Sequence, residues 1–299
     1  MNRFPPKRIV VAVDLSAPSL SALEAAKTLA LRWEATLEIV HVQHPPLIAA
    51  WVGLDGMPVS VPPSTRQPKL LIENRLRRAA AGIPDARLKL RTVNGWPPAA
   101  LLELARPDRA DLLVMGTHGY AGLDRLVTGS VAEAVLRRAR VPVLVVPSRK
   151  SVPLVPRVLA PWNGTPYATR ALRWARELAR GLGMTLVVLC VDESGHPAKK
   201  DWPGLRKRLD AVLGAGPDWT FRAGIGDARA RIVAEANSGR YEFAVLSAHR
   251  RAFAADFVLG STVERLLRHA NVPVMAIPSG GAKARPVRRF AASAGARLY

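Results

Sequence analysis

The chain has 299 residues, 49% hydrophobic and 6% aromatic, a length that suits two domains with cores built from Ala, Val and Leu. The single cysteine excludes an intrachain disulfide, the apolar runs are too short to span a bilayer, and no signal-peptide core follows Met1, which together predict a cytoplasmic protein. The net charge of +21 predicts nonspecific attraction to nucleic acid or anionic surfaces, but the basic residues are dispersed and no aromatic platform accompanies them.

The first elements along the chain are a strand, a turn, a helix and a second strand. The apolar run Ile9–Val13 predicts a buried strand, and Asp14–Ser16 predicts a turn with side chains that cap helices. A helix is predicted from about Ser19–Arg32, and a strand over Leu37–Val42. The Pro-rich segment His44–Pro68 then predicts a long surface loop, and whether it is a lid or only a connection remains open.

A glycine-containing turn between a strand and a helix is the most informative feature of the sequence. The apolar run Leu112–Met115 predicts a buried strand, and the residues from Val131 onward predict a helix. Between them lie the residues that define the motif, which are Gly116, Thr117, His118, Gly119, Gly129 and Ser130. Glycine lets the backbone approach an anion closely, and N–H groups at a helix start point towards it. The arrangement therefore predicts a phosphate-binding site.

The same unit occurs twice in the chain. At an offset of 149 residues, the strand Ile9–Val13 is matched by Val158–Trp162. From the middle of the unit onward the offset is 131, so that Gly129 is matched by Gly260. The change of offset means that the first unit carries 18 additional residues, in or near the Pro-rich segment.

The repeat divides the chain into domains 1–150 and 151–278, followed by a basic tail, 279–299, whose composition is typical of disorder. Strands alternate with amphipathic helices in both units, which predicts an α/β fold. Each domain is expected to be an open five-stranded parallel sheet with helices on both faces. Ligands of such sheets bind beyond the carboxyl ends of the strands, where the strand order reverses.

The spacing Gly-x2-Gly-x9-Gly-Ser behind a strand resembles the ATP-binding signature of the universal stress protein family. Residues 1–150 resemble an ATP-binding domain of that family and 151–278 a diverged copy, so the chain is similar to its tandem members. The resemblance implies an adenine nucleotide alpha hydrolase-like fold. It also implies that the domains pair through their last strands, Val143–Val145 running antiparallel to Val274–Ala276.

The resemblance further implies a nucleotide site in the first domain. Adenine is expected at the apolar members of that site, the ribose at the aspartate, and the phosphates at the glycine turn and helix start. ATP is the expected ligand, with Mg²⁺ as an accompanying ion, while the spacing of the six histidines predicts no metal site of the protein itself. The implied cofactor-binding residues are Ala12, Val13, Asp14, Val42, Met115, Gly116, Thr117, His118, Gly119, Gly129, Ser130 and Val131.

The second copy departs from this pattern. Asn163 stands where the first unit has Asp14, and Ser247 where it has Gly116, although the Gly-Ser pair at Gly260 is retained. A side chain at a glycine position takes space or adds strain, so we expect that this domain does not bind ATP in the family manner. The alternative is that Arg250 or Arg251 supplies charge to another anion.

Plainer interpretations of the site residues remain open. Asp14 can be only the N-cap of the first helix, a role compatible with ligand binding. Gly116 and Gly119 can be turn glycines that adopt a positive φ. His118 can contact phosphate or simply be exposed in the turn.

Three functions follow from these alternatives. The first is an ATP-binding regulator or sensor of the stress response, because no general base is evident near the phosphates. The second is a slow ATP hydrolase or nucleotidyl-transfer enzyme, and the third a basic protein associated with nucleic acid. The partners expected for the first function are an adenine nucleotide, an unidentified protein and, in a homodimer, a second chain.

Overall fold

The computed structural model describes residues 4–43, 69–117, 130–147, 156–194, 201–248, 250–253 and 256–279. The first domain consists of β1 (Arg8–Ala12), α1 (Ala17–Trp33), β2 (Thr36–Gln43), α2 (Lys69–Ala79), β3 (Leu88–Asn94), α3 (Pro97–Leu104), β4 (Leu112–Gly116), α4 (Ser130–Arg138) and β5 (Val143–Val146). The second consists of β6 (Arg157–Pro161), α5 (Pro166–Leu182), β7 (Thr185–Asp192), α6 (Trp202–Leu213), β8 (Trp219–Ile225), α7 (Ala228–Ala236), β9 (Phe243–Ala248), β10 (Arg250–Phe253), β11 (Asp256–Leu259), α8 (Ser261–His269) and β12 (Val274–Pro278). The predicted loop 44–68 and the tail beyond Ser279 lie outside the described residues.

One ten-stranded sheet joins the two domains. Its strand order is β3-β2-β1-β4-β5-β12-β9-β6-β7-β8, and the strands within each domain run parallel. At the centre β5 pairs antiparallel with β12, and Leu144 lies opposite Met275, so the predicted pairing is confirmed. The strands of the first domain therefore run in the opposite direction to those of the second, and the carboxyl ends of the two sets of strands lie on opposite sides of the molecule.

The predicted α/β fold with five parallel strands per domain is confirmed, and the described part of the second domain includes two further strands. Strands β10 and β11 form an antiparallel hairpin that the sequence did not predict. The hairpin stands apart from the ten-stranded sheet, between β9 and α8, where the first domain has its glycine motif. Arg250 therefore lies on a strand of this hairpin, and the corresponding segment of the first domain lies outside the described residues.

Two apolar cores lie on opposite faces of the sheet, and each runs through both domains. Helices α1, α2, α5 and α6 cover one face, and α3, α4, α7 and α8 cover the other. Strands that are buried on both sides need apolar residues at consecutive positions, as the fully buried Leu112, Leu113 and Val114 of β4 show. Among the described residues, no helix is long and apolar enough to cross a membrane.

Helix α1 begins two residues before the predicted start, because Ser16 caps it. The Ser16 hydroxyl accepts a hydrogen bond from Ser19 N at 3.4 Å, and Pro18 lies in the first turn, where its missing N–H has no intrahelical partner to lose. Glu34 ends the helix with a left-handed φ of 52°. The interpretation of Asp14 as the N-cap is therefore wrong, since the cap lies two residues further along the chain.

Helices α1 and α5 meet across the domain boundary around one aromatic side chain. The Phe4 ring makes edge contacts with Trp33 of α1 and with Trp174 of α5, at centroid distances of 5.6 and 5.5 Å. Arg32 Nε also donates to Gly181 O at 3.4 Å. The segment before β1 thus ties the first domain to the second.

Replacing Phe4 with alanine is expected to lower the free energy of unfolding by about 1–2 kcal/mol, because a half-buried ring loses its contacts with both tryptophans. Urea unfolding followed by circular dichroism measures this change. Leu31→Ala is the control, since Leu31 lies on α1, which Phe4 contacts, and is 48% exposed. This substitution should change the free energy of unfolding by less than about 0.5 kcal/mol. Equal effects of the two substitutions would contradict the assignment of Phe4 as a contact between the domains.

Candidate functional site

The strand order of the first domain reverses between β1 and β4. From β1 the chain passes through α1 to β2 on one side, and from β4 it passes through α4 to β5 on the other. In open sheets of this kind, the crevice that binds ligands lies beyond the carboxyl ends of the two strands at such a reversal, which here are β1 and β4. Asp14 follows β1 directly, and Gly116 is the last residue of β4. The structure thus brings together two motifs that lie about a hundred residues apart in the sequence.

The Asp14 side chain shapes the turn after β1. Its Oδ1 accepts hydrogen bonds from the backbone N–H of Ser16, at 3.0 Å, and from the Ser16 hydroxyl. Ser19 Oγ accepts a bond from Asp14 N at 3.2 Å and donates to Ser16 O at 3.0 Å. This is an Asx turn that leads straight into the capped helix α1. The carboxylate of Asp14 is therefore held at the rim of the crevice by a defined local network.

Leu15, at the centre of this turn, has a φ of 68°, which is the left-handed region that a leucine rarely adopts. The corresponding residue of the second domain is Gly164, with a φ of 79°. There Asn163 repeats the hydrogen bonds of Asp14, with its Oδ1 accepting from Thr165 N at 3.3 Å and from the Thr165 hydroxyl at 2.7 Å. The turn is thus common to both domains, but only the first forms it with a strained residue and a charged one.

Gly116 is required by a close contact with the start of α1. A Cβ atom at this position would lie 2.8 Å from the backbone carbon of Pro18 and 2.9 Å from its oxygen. Gly116 does not have a positive φ, so the interpretation that it is a left-handed turn glycine is wrong. The absence of a side chain instead lets the end of β4 approach the first turn of α1 closely.

The backbones of Val13 and Thr117 form part of the sheet at this edge. Val13 N donates to Val40 O at 2.9 Å, and the ring Nδ1 of His41, 2.8 Å from Val13 O, donates to that oxygen. Thr117 N donates to Val146 O at 3.1 Å. These groups already have backbone or side-chain partners, so Val13 and Thr117 frame the crevice and their N–H groups are not oriented to a phosphate.

Apolar side chains lie along the same edge, on the face covered by α3 and α4. Met115 is buried in that core, and the half-buried Ala12 and Val42 pack against it. On the other side of the crevice, α4 begins at the exposed Ser130, and Val131 is half-buried against the same core. The remaining predicted members of the site, namely His118, Gly119 and Gly129, lie outside the described residues.

The equivalent crevice of the second domain has different chemistry. Trp162 replaces Val13 and is buried, with its Nε1 donating to Thr169 Oγ1 at 2.9 Å. The guanidinium of Arg208 lies 5.4 Å from the centre of the Trp162 ring, and its Nη2 lies 3.0 Å from where a Cβ of Gly164 would be. An arginine side chain of α6 therefore lies beside this turn in the second domain. Sequence reasoning missed Arg208 because it comes from α6, far along the chain from this turn.

Comparison with known proteins places the chain in a family. The sequence model described as "Universal stress protein family" matches residues 5–147 and 155–278, which together include most of the chain. The chain belongs to the universal stress protein family. It contains two tandem domains of that family, with the adenine nucleotide alpha hydrolase-like fold that the resemblance implied.

Two relatives illustrate the match of the universal stress protein domains. Universal stress protein A homolog 1 of Coxiella burnetii is 35% identical over 147 residues, which are 47% of this chain and 95% of the relative. The crystal structure of a universal stress protein from Archaeoglobus fulgidus superposes on this chain with a TM-score of 0.66 and 19% sequence identity. The superposition includes 93% of this chain and 100% of the Archaeoglobus chain. The first comparison aligns a single-domain relative with half of this chain, and the second shows that the whole tandem fold recurs.

A third relative of this universal stress protein is known with a ligand. One solved structure is described as a universal stress protein in complex with cAMP, and its sequence is 32% identical to this chain. The match includes 48% of this chain and 98% of that protein, with a TM-score of 0.34. Within the described ranges, no group of three or more His, Cys, Asp or Glu side chains is arranged to hold a metal ion.

Proposed function

We propose that the first domain binds ATP in the crevice between β1 and β4 and that the protein acts as a nucleotide-dependent regulator or sensor in the stress response. The observation that carries the proposal is the contact between Gly116 and Pro18, because it needs a glycine and lies where the strand order reverses. The same crevice holds the Asp14 turn on one side and the start of α4 on the other.

The parts of ATP are assigned by their chemistry. The apolar edge formed by Ala12, Val42 and Met115 suits a planar purine. The Asp14 carboxylate can accept hydrogen bonds from ribose hydroxyls. The triphosphate lies towards Ser130 and Val131, because N–H groups at a helix start point outward and the helix dipole favours an anion there.

The motif residues outside the described ranges complete this assignment. Gly119 and Gly129 would admit the phosphates close to the backbone, and His118 lies between the two motif glycines Gly116 and Gly119. Mg²⁺ would accompany the nucleotide and be held mainly by phosphate oxygens and water, as is usual for this ion. Val13 and Thr117 support the site through the sheet and do not donate to the phosphates.

We assign no family-type ATP site to the second domain. Its crevice has Ser247 in place of Gly116 and the Trp162–Arg208 stack beside the turn. Isothermal titration of the intact protein with Mg·ATP should therefore give one site per chain. Two equivalent sites would contradict the assignment to the first domain alone, and no binding would overturn the nucleotide function. Phosphate release above the buffer rate would favour the alternative of a slow hydrolase.

Replacing Asp14 with asparagine is expected to preserve the turn after β1 but to weaken the contact with the ligand. Asn163 makes the same turn in the second domain, so the melting temperature should stay within about 2 °C of the unaltered protein. ATP affinity should fall about tenfold or more, because a charge-assisted hydrogen bond to the ribose is lost. Asn163→Asp is the matched control and should leave ATP affinity unchanged. An unchanged affinity in Asp14→Asn would remove Asp14 from the site.

A further inference from the structure

The guanidinium of Arg208 is positioned by contacts with two uncharged groups. Its carbon atom lies 5.4 Å from the centre of the Trp162 ring, which is buried and fixed by the hydrogen bond from its Nε1 to Thr169 Oγ1 at 2.9 Å. The second contact is with the turn, since Nη2 lies 3.0 Å and Nη1 3.9 Å from where a Cβ of Gly164 would be. Because neither contact involves a carboxylate, the charge of the guanidinium stays available to a ligand.

Arg206, on the same helix, provides an internal comparison. It also stacks on a tryptophan, with its guanidinium carbon 4.3 Å from the centre of the Trp219 ring. Its charge is paired, because Asp210 Oδ1 lies 3.6 Å from Arg206 Nε. Among the described residues, no carboxylate forms an ion pair with Arg208, which is exposed. The two stacked arginines of α6 thus differ in that the positive charge of Arg208 is not neutralised within the described part of the chain.

Arg208 reaches the place where the strand order of the second domain reverses. The reversal lies between β6, from which the chain continues to β7, and β9, from which it continues towards β12. Gly164 comes three residues after the end of β6, so the guanidinium beside it lies beyond the carboxyl end of that strand. Open sheets of this kind bind their ligands there. A cation without a counter-charge at the ligand-binding end of the sheet points to an anionic ligand.

The turn beside Arg208 lacks the carboxylate of the first domain's turn. Asn163 takes the place of Asp14 and uses its Oδ1 for the turn, accepting from Thr165 N at 3.3 Å and from the Thr165 hydroxyl at 2.7 Å. The turn does not need the Asn163 amide nitrogen, which has two N–H donors. The exposed Asn163 can therefore donate to an anion where the carboxylate of an aspartate would repel it.

We propose that the second domain binds a phosphate group, free or as a monoester, beside the turn 163–165, with Arg208 as its main ligand and Asn163 as a second donor. The planar guanidinium presents N–H groups that match two oxygens of a phosphate, and the stack on Trp162 orients that plane. The site goes beyond the proposed ATP function and does not depend on it. It also lies on the opposite side of the molecule from the ATP crevice, so the two ligands do not compete for space.

The test titrates the full-length protein with inorganic phosphate and with glycerol phosphate by isothermal titration. Arg208→Gln removes the charge and should lower the affinity for both about tenfold or more. Arg206→Gln is the matched control, because it removes an equal charge from the same helix, and it should leave the affinity within about twofold. Tighter binding of glycerol phosphate would identify a monoester as the ligand, and tighter binding of inorganic phosphate the free anion.

Asn163→Asp changes the charge of the site and keeps its turn. Asp14 makes the same turn in the first domain, so the melting temperature should stay within about 2 °C of the unaltered protein. Phosphate affinity should fall about tenfold or more, because the new carboxylate repels the anion and can pair with Arg208. An unchanged affinity in this variant would overturn the placement of the phosphate at the turn.

Two further outcomes would overturn the site itself. One is the absence of phosphate binding to the unaltered protein. The other is an equal loss in Arg206→Gln and Arg208→Gln, because the binding would then follow from the net charge of +21 and not from one arginine. These titrations contain no ATP, so a failure of the phosphate site and a failure of the ATP function are seen separately.

Discussion

Replacing Gly116 with alanine is expected to lower ATP affinity by at least about a hundredfold, which corresponds to about 3 kcal/mol of binding free energy. The added Cβ would lie 2.8 Å from the backbone carbon of Pro18, and backbone cannot move aside as the end of a flexible side chain can. Either β4 or the start of α1 must shift, which changes the distance between the Asp14 turn and the phosphate-binding turn. Isothermal titration with Mg·ATP measures the loss.

The matched control for this substitution lies in the second domain. Ser247→Gly recreates the glycine at the equivalent position and should leave the number of ATP sites at one, because the Trp162–Arg208 stack remains. The stability of Gly116→Ala should be measured in parallel, with an expected loss of about 1–3 kcal/mol from overpacking. A Gly116→Ala protein that binds ATP within about threefold of the unaltered protein would show that the glycine serves the packing of α1 and not the ligand.

Among the ionised side chains of the second domain, Glu235 is expected to make the largest contribution to the free energy of unfolding. Its carboxylate is buried and accepts a hydrogen bond from the Tyr241 hydroxyl, with Arg222 Nε at 3.1 Å and Arg240 Nη2 at 3.0 Å. Burial and the neighbouring Glu235 carboxylate raise the pKa of Tyr241 above its usual range, which keeps its hydroxyl protonated as a donor. The cluster joins α7 to β8 and to the start of β9.

Replacing Glu235 with alanine should lower the free energy of unfolding by about 2–4 kcal/mol, because the buried Tyr241 hydroxyl loses its acceptor and two arginines lose their counter-charge. Urea unfolding measures the change. Glu264→Ala is the control, since Glu264 makes only a partly exposed pair with Arg268 and should cost less than about 1 kcal/mol. ATP affinity should be unchanged in both variants. A loss no greater for Glu235 than for Glu264 would contradict the role of the cluster.

The features that could be predicted from the sequence are those that local pattern or the repeat determines. Fully apolar runs such as Leu112–Met115 identify strands buried on both faces, and the repeat gives each strand a counterpart at a fixed offset. The pairing of Val143–Val145 with Val274–Ala276 followed from the resemblance to tandem members of the family, and it hides two strand edges that would otherwise be exposed.

The features that could not be predicted depend on contacts between distant segments. The need for glycine at position 116 comes from Pro18, and the guanidinium beside the turn of the second domain comes from Arg208 on another helix. The spacing of the motif indicated where the site lies. The structure was needed to show which residues form the walls of the site and which groups point into it.

The antiparallel pairing of β5 with β12 joins two different domains that belong to the same polypeptide. Separate single-domain chains that paired in this way would associate according to their concentration, whereas one polypeptide keeps its two halves together at any dilution. Each half is then always accompanied by a partner that is different from itself. The second half therefore has Ser247 and Trp162 where the first has Gly116 and Val13, and every molecule contains one site of each kind in a fixed one-to-one proportion.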